Sequence, residues 1–318
     1  MKRRALIGAG GLWLAPLAIH AQAVRKAYRI GMLSVGANTA EMAGPTPTNP
    51  ANAALLTGLR ELGYVYGETF VTEPRSAEGQ VERFPGLVAE LVRLRVDVIV
   101  AAGPALAACQ QATSTLPIVM AGAEDPVGLG VIKTLARPGT NFTGLSNQAV
   151  EANVKKLEML KEMVPGAAPV AVLWDPAALL SWQALLAAAR RRGWKLLPFE
   201  VHDAAEIEAA IKAAAAAKAG ALLAAGGLAF RHARRIAELA FISRLPASPG
   251  VLSYGADLSV IWHRAATFVD KILRGAKPAD MAVEQPTKFK LVIDLKTAKA
   301  LGLTIPQSVL LRADEVIG

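Results

Sequence analysis

The chain has 318 residues, of which 53% are hydrophobic, 19% charged and only 5% aromatic. That apolar share supports a sizeable core, in one large domain or two of ordinary size, and excludes wholesale disorder. The formal net charge of +9 raises the question of nucleic acid, but the cations are dispersed. No aromatic-interleaved basic stretch or recognition-helix motif accompanies them, so nucleic-acid binding is not expected. Arg190-Arg191-Arg192 and Arg234-Arg235 stand near expected helix ends, where cations suit the helix dipole.

The first residues read as an export address. Met1-Lys-Arg-Arg4 is a basic start, Ala5 to Ile19 an apolar run, and Ala21-Gln22-Ala23 a small-x-small cleavage pattern. The run is shorter than the ~20 residues that cross a bilayer, and Pro16 and several glycines interrupt it. Cleavage after Ala23 and delivery to the periplasm are expected, by the general or the twin-arginine route. Gly8-Ala-Gly10-Gly11 lies inside this leader and lacks the spacing of a phosphate-binding loop.

From Tyr28 onward short β-type runs alternate with amphipathic helices. Tyr28–Leu33 reads as a strand, followed by a polar, proline-rich loop to Asn52 and a helix carrying Leu55, Leu59 and Leu62 up to Gly63. A strand at Thr69–Glu73, a helix at Val81–Leu94, a buried-type strand at Val96–Val100, a helix opened by Gly103-Pro104 and a strand at Pro117–Met120 come next. The pattern restarts after Gly144. Val150, Val154, Leu157, Leu160 and Met163 mark one helix face, and Val170–Trp174 is a strand leading to a helix that ends at Arg192. Lys195–Val201 and Leu222–Ala225 are strands around an alanine-rich helix at Ala205–Ala219, and Arg231–Ser243 is a further helix. Strands separated by helices imply parallel β-α-β units. The expected fold is α/β: two Rossmann-like lobes with parallel sheets joined by a hinge, and a ligand crevice where the strand C-termini face each other.

The chemistry of catalysis is sparse. The single cysteine, Cys109, permits neither an internal disulfide nor a multi-cysteine metal site, and its apolar helical setting marks it as a core residue. His20, His202, His232 and His263 are scattered without metal-ligand spacing. No nucleophile elbow or phosphate-binding loop is present, so neither an enzyme nor a cofactor or metal requirement is expected. Asn141-Phe-Thr143 matches a glycosylation pattern but is read as a tight turn beside Gly139.

A series of motifs then carries a likeness. Asp125-Pro-Val-Gly-Leu-Gly130, Leu135-Ala-Arg-Pro-Gly139, Asn141-Phe-Thr-Gly-Leu-Ser146, Ser253-Tyr-Gly-Ala-Asp-Leu258 and Arg264–Leu273 are succeeded by Gly275–Asp280, Glu284–Phe289 and Lys296–Pro306. In order and spacing they resemble ABC-transporter substrate-binding proteins of the tryptophan/tyrosine type. The resemblance implies a type I periplasmic-binding-protein fold, a small-molecule ligand, and an ABC permease with its ATPase as partners, the membrane being met only through the permease. With the leader at 1–23, lobe 1 is expected at 27–143 plus about 254–285, and lobe 2 at 144–253 plus about 286–318. A ligand-sensing module docking to a membrane signalling protein is the alternative role.

Candidate ligand-binding residues are those just after the strands. Ser34 and Gly36 come after the first; Gly103 and Ala105 open a helix whose free N–H groups suit a carboxylate. Glu124 and Asp125 lie past the Pro117–Met120 strand, and Asp125 can instead cap a helix beginning near Pro126. Asp175 and Gly226 end strands of the second half, Trp174 is read as core, and Tyr254 and Asp257 flank the return crossover. Two departures from the resemblance stand out: Gly226-Gly227 where relatives carry an acidic or polar residue, and a short Pro246–Leu252 segment where relatives are longer.

Overall fold

The computed structural model describes residues 27–318, so the leader read at 1–23 lies outside the described residues. The first half contributes β1 (Tyr28–Ser34), α1 (Thr39–Met42), α2 (Pro50–Glu61), β2 (Phe70–Ser76), α3 (Phe84–Arg93), β3 (Val98–Ala101), α4 (Ala105–Ala112), β4 (Ile118–Ala123) and β5 (Phe142–Ser146). Its five strands form one parallel sheet in the order β2-β1-β3-β4-β5. The second half contributes α5 (Ala149–Met163), β6 (Val170–Trp174), α6 (Leu179–Arg192), β7 (Leu196–Glu200), α7 (Glu206–Ala216), β8 (Ala221–Ala225), α8 (Gly227–Arg231), α9 (Ala233–Ile242) and β9 (Ala247–Ser248). Its parallel sheet runs β7-β6-β8-β9. The chain closes with β10 (Leu252–Ala256), α10 (Leu258–Leu273), β11 (Phe289–Asp294), α11 (Leu295–Ala300), α12 (Gln307–Leu310) and β12 (Glu315–Ile317). The result is a two-lobed α/β molecule.

Each sheet is covered on both faces, which is why its central strands are apolar throughout rather than alternating. Every residue of β3, β4, β6 and β8 is buried. Leu87, Leu91, Leu106 and Cys109 from α3 and α4 fill one face of the first sheet, and Leu55 and Leu59 of α2 fill the other. On that second face they meet Ile261, Trp262, Ala265 and Phe268 of α10. The second sheet packs Leu157 and Leu160 of α5 on one side and Ile207, Ile211 and Ile236 of α7 and α9 on the other. Leu291 and Ile293 of β11 belong to the core that contains α5. The chain thus leaves the second sheet after β9, sends α10 to the first core, and returns for β11.

Two of these passages are fixed by local structure. After β5, Gln148 adopts a left-handed conformation with φ +48°. The return passage pairs with the end of β5: Ser146 N donates to Glu284 O at 2.9 Å and Glu284 N to Gly144 O at 2.9 Å. Arg264 of α10 grips the Glu284 carboxylate with Nε at 2.9 Å and Nη2 at 2.8 Å, a bidentate arrangement with fixed geometry.

Several elements differ from the sequence reading, each for a local reason. The loop to Asn52 contains α1, closed by a capping box from Asn38 and Glu41, and α2 starts at Pro50 because Asn49 caps it. The helix read over Arg231–Ser243 is α9, which starts at Ala233, and a separate short helix, α8, precedes it and ends at Arg231, with the break at His232. Arg234 and Arg235 therefore sit in the first turn of α9, where the dipole disfavours cations; Glu238 at 3.0 Å and Glu208 at 3.7 Å offset this. Arg190, Arg191 and Arg192 do occupy the last turn of α6. The short Pro246–Leu252 segment holds the two-residue strand β9 and turns directly into β10. Asn141 spends its side-chain amide on Leu116 O at 2.8 Å and Thr113 O at 3.2 Å, fastening the approach to β4.

The seat of α10 on α2 depends on Gly58. A Cβ there would lie 2.6 Å from the backbone oxygen of His263 and 2.8 Å from Cβ of Ala266, so a side chain would force the helices apart. Gly58→Val is expected to lower unfolding stability by about 3 kcal/mol, at the upper end of ordinary overpacking costs. Gly86→Ala, in α3 with open space around it, should instead gain about 0.5–1 kcal/mol by restricting the unfolded chain. Urea unfolding followed by tryptophan fluorescence measures both.

Candidate functional site

Parallel winding brings the carboxyl ends of β1, β3 and β4 to one edge of the first lobe and those of β6 and β8 to an edge of the second. The two edges touch. A Cβ on Gly36, after β1, would come within 3.0 Å of Cδ of Arg231 at the end of α8. A Cβ on Gly128, in the turn after β4, would come within 3.1 Å of Cδ1 of Leu180 in α6.

Four charged groups collect in this crevice: Glu124 after β4, Lys156 on α5, Asp175 after β6 and Arg231. Asp175 is buried, and its Oδ2 accepts the N–H of Leu228 at 2.8 Å. Helix α8 has a glycine at its N-cap, with no side chain to cap it, so this carboxylate from a neighbouring strand supplies the missing acceptor. The approach is possible only because Gly226 is glycine. Its φ is +102°, and a Cβ would lie 2.5 Å from Asp175 Oδ2. Burial raises the Asp175 pKa, while the Leu228 N–H and the nearby Arg231 charge oppose the rise.

Glu124 is half-buried and its carboxylate makes no hydrogen bond among the described residues. Burial first, and the Asp175 charge second, push its pKa up to about 7, with Lys156 pulling the other way. Lys156 Nζ donates to Asn153 Oδ1 at 3.1 Å, and Asn153 Nδ2 donates to Ser181 Oγ at 3.0 Å, so the amine is held by a chain linking α5 to α6. Burial lowers the lysine to about 8 against the pull of Glu124. Burial likewise lowers Arg231, opposed by Asp175.

The other residues singled out from the sequence have other surroundings. Ser34 Oγ accepts the N–H of Ala37 at 3.0 Å, shaping the loop that carries Gly36. Gly103 is exposed in a left-handed turn with φ +57°, and the methyl of Ala105 is buried in the first core. Asp125 is a cap, but of a turn after Pro126 and not of a helix: Oδ1 accepts Gly128 N at 2.9 Å. Asp257 caps α10 through Ser259 N at 2.8 Å and Val260 N at 3.4 Å. Tyr254 stacks on Phe289 with ring centroids 5.3 Å apart. Neither Tyr254 nor Asp257 takes part in the charge cluster. Trp174 is core, stacked on Trp182 at 5.7 Å.

Lys156 and Arg231 are the members that the sequence pattern does not mark. Lys156 lies off the apolar stripe of its helix and reads as a solvated face. Arg231 reads as the start of a helix, whereas it ends one that Gly226-Gly227 begins. Two anions and two cations between lobes can hold a solute bearing both signs, its amine near the carboxylates and its acid near the cations. Cys109 stands apart, buried in the first core with its thiol pushed up to about 12 by burial, and among the described residues no group of three metal-ligating side chains assembles.

The shifts set the pH dependence of the ligand-free fold. A carboxyl raised from 4.5 to about 7 binds its proton more tightly when folded, so stability falls as pH rises across that interval. An amine lowered from 10.5 to about 8 gives stability that rises from about 8 upward. The empty protein is therefore least favoured between pH 7 and 8 by these two groups. Glu124→Gln is expected to remove the fall below pH 7 and to gain about 1–2 kcal/mol at pH 7.5, measured by urea unfolding across pH 5–9.

Comparison with known proteins agrees with this architecture. A structure of a conserved domain protein from Vibrio cholerae O1 biovar El Tor superposes with a TM-score of 0.83 at 26% identity, covering 92% of this chain and all of that one. A Streptococcus pneumoniae ABC domain in complex with L-Trp gives 0.80 at 25% identity, again over 92% of this chain and 100% of its own. A tyrosine-binding protein of Clostridioides difficile (strain R20291) is 22% identical over 266 residues, 80% of this chain and 76% of that protein. A periplasmic binding protein/LacI transcriptional regulator from Alkaliphilus metalliredigens, at 12% identity and a TM-score of 0.54 over 83% of this chain and 97% of its own, shares the fold alone. The model of the family described as ABC transporter substrate binding protein matches residues 49–317; the chain belongs to that family.

Proposed function

We propose that this chain is the solute-binding component of an ABC uptake transporter, exported to the periplasm, where it captures a small molecule between its lobes. In this reading lobe 1 comprises 27–143 with about 254–285, and lobe 2 comprises 144–253 with about 286–318. The captured solute is an amino acid or related carboxylate, handed to a permease driven by an ATPase. The observation that carries the reading is the placement of Glu124 and Lys156 near one another at the crevice without a direct contact, two half-buried groups of opposite sign from different halves of the chain. Such a pair is costly to bury for packing alone and suits a zwitterion that replaces each partner with a closer one. The L-Trp complex and the tyrosine-binding relative lend support, because both are named for amino acids. Among the described residues no helix is long and apolar enough to cross a membrane, in keeping with contact through a permease only.

Ligand affinity should track the two shifted groups. An ammonium needs Glu124 ionised, above about 7, and a carboxylate needs Lys156 charged, below about 8. Calorimetric titration with the standard L-amino acids is expected to find at least one ligand whose affinity peaks between pH 7 and 8. The affinity should fall by about tenfold per pH unit on the acid side. Absence of binding across the panel, in protein shown to be free of carried-over solute by native mass spectrometry, would overturn the proposal.

A further inference from the structure

Arg231 is the one member of the charge cluster that physically spans the crevice. Its stem leaves the end of α8 and lies against Gly36 of the opposite lobe, where any side chain would meet Cδ at 3.0 Å. On its own side the guanidinium lies beside Gly227, where a Cβ would meet Nη1 at 3.3 Å. Gly36 thus leaves room for the stem on one lobe and Gly227 for one end of the planar, five-donor guanidinium on the other.

Those donors are uncommitted. Among the described residues Arg231 makes no hydrogen bond and no ion pair, although it is half-buried. A comparably half-buried arginine, Arg75, is engaged with Glu90 at 2.8 Å. The nearest anion, Asp175, has spent Oδ2 on the N–H of Leu228 at 2.8 Å and is held in place by the close approach of Gly226. It biases the site electrostatically without saturating the fork. A partly desolvated guanidinium with open donors suits a carboxylate bound through two parallel hydrogen bonds.

We infer that Arg231 sets the ligand class: its guanidinium, carried between Gly36 and Gly227, takes the carboxylate of the solute. The inference rests on the inter-lobe binding proposed above and narrows it, because a neutral sugar or an amide offers the fork no charged two-oxygen acceptor and an amine offers it no acceptor at all. Lys156, half-buried beside Asn153 and close to Glu124, then balances Glu124 and adds its charge to the field that draws in the acid, which separates the two cations by task.

The test compares an acid with its own amide. The L-amino acid that titrates most tightly to the wild-type protein, and the primary amide of the same amino acid, are titrated into wild type, Arg231→Ala, Arg231→Lys and Gly36→Val, each checked for native circular dichroism. Wild type is expected to prefer the acid by about 100-fold. Arg231→Ala should lose about 10- to 100-fold for the acid and little for the amide, and Arg231→Lys should recover part of the loss. Gly36→Val keeps the arginine but obstructs its path, and should lower the preference as well, independently of any damage to α8. Equal binding of acid and amide by wild type overturns the inference while leaving the proposed function standing. Tighter binding of the acid by Arg231→Ala also overturns it, and would show the guanidinium to be a tethered competitor for the site. Failure of every amino acid to bind wild type removes the proposed function, and the inference with it.

Discussion

Two acids and two bases buried between two lobes impose the main constraint on this molecule. Glu124, Lys156, Asp175 and Arg231 carry no net charge together, yet each has its charged form disfavoured by burial. A group taken from water is tolerable only when its partners are well placed, and here Asp175 alone has a close backbone donor. Much of the remaining capacity for hydrogen bonding is open. A crevice of this kind gains most when a solute completes it, and the interval in which Glu124 and Lys156 together favour the empty fold least is the one in which both are ionised. Stability given up in the empty state is available to binding.

The rest of the fold positions those four groups. The five-stranded and four-stranded sheets of the two lobes are parallel and covered on both faces, so their carboxyl-end loops are the natural places for exposed function. Gly226 admits Asp175 to the start of α8, and that contact fixes the short helix whose last residue is Arg231. Gly36 leaves the space that Arg231 enters from the other lobe. Behind the crevice, α10 is seated on α2 through Gly58, and Arg264 ties α10 to the returning chain at Glu284. The chain segments between lobes are thereby anchored to the first core at one end and to β11 at the other.

Much of this is legible in the sequence because its signals are local. Continuous apolar runs such as Val98–Ala101 and Val170–Trp174 can only be strands buried on both sides, and leucine spacing in α2 and α3 marks helices covering them. Glu124 and Asp175 are reachable by position, since each lies just past the carboxyl end of a strand. Lys156 and Arg231 are not, because their significance lies in meetings with residues more than thirty positions away. Periodicity assigns Lys156 to solvent, whereas in the structure it is half-buried, bonded to Asn153 and close to Glu124. Gly226-Gly227 reads as a lost side chain, whereas in the structure it is an opening that Asp175 and Arg231 occupy. Asp125 and Asp257 are recognisable as candidates but their partners are the adjacent N–H groups of a turn and a helix, the ordinary employment of aspartate at such positions.

The central claim is that the lobes close on a solute through these charges, and inter-lobe distance measures it most directly. Cys109 is buried with its thiol pushed up to about 12, so cysteines introduced at the exposed positions Glu82 and Gln183 can be spin-labelled without interference. Pulsed electron-electron resonance on the wild-type background should show the distance distribution narrowing and shifting when the tightest-binding amino acid is added at pH 7.5. Removing the inter-lobe charges by Glu124→Gln and Arg231→Ala should abolish that shift. A distribution unchanged by saturating ligand, or a shift that survives removal of both charges, would contradict the account.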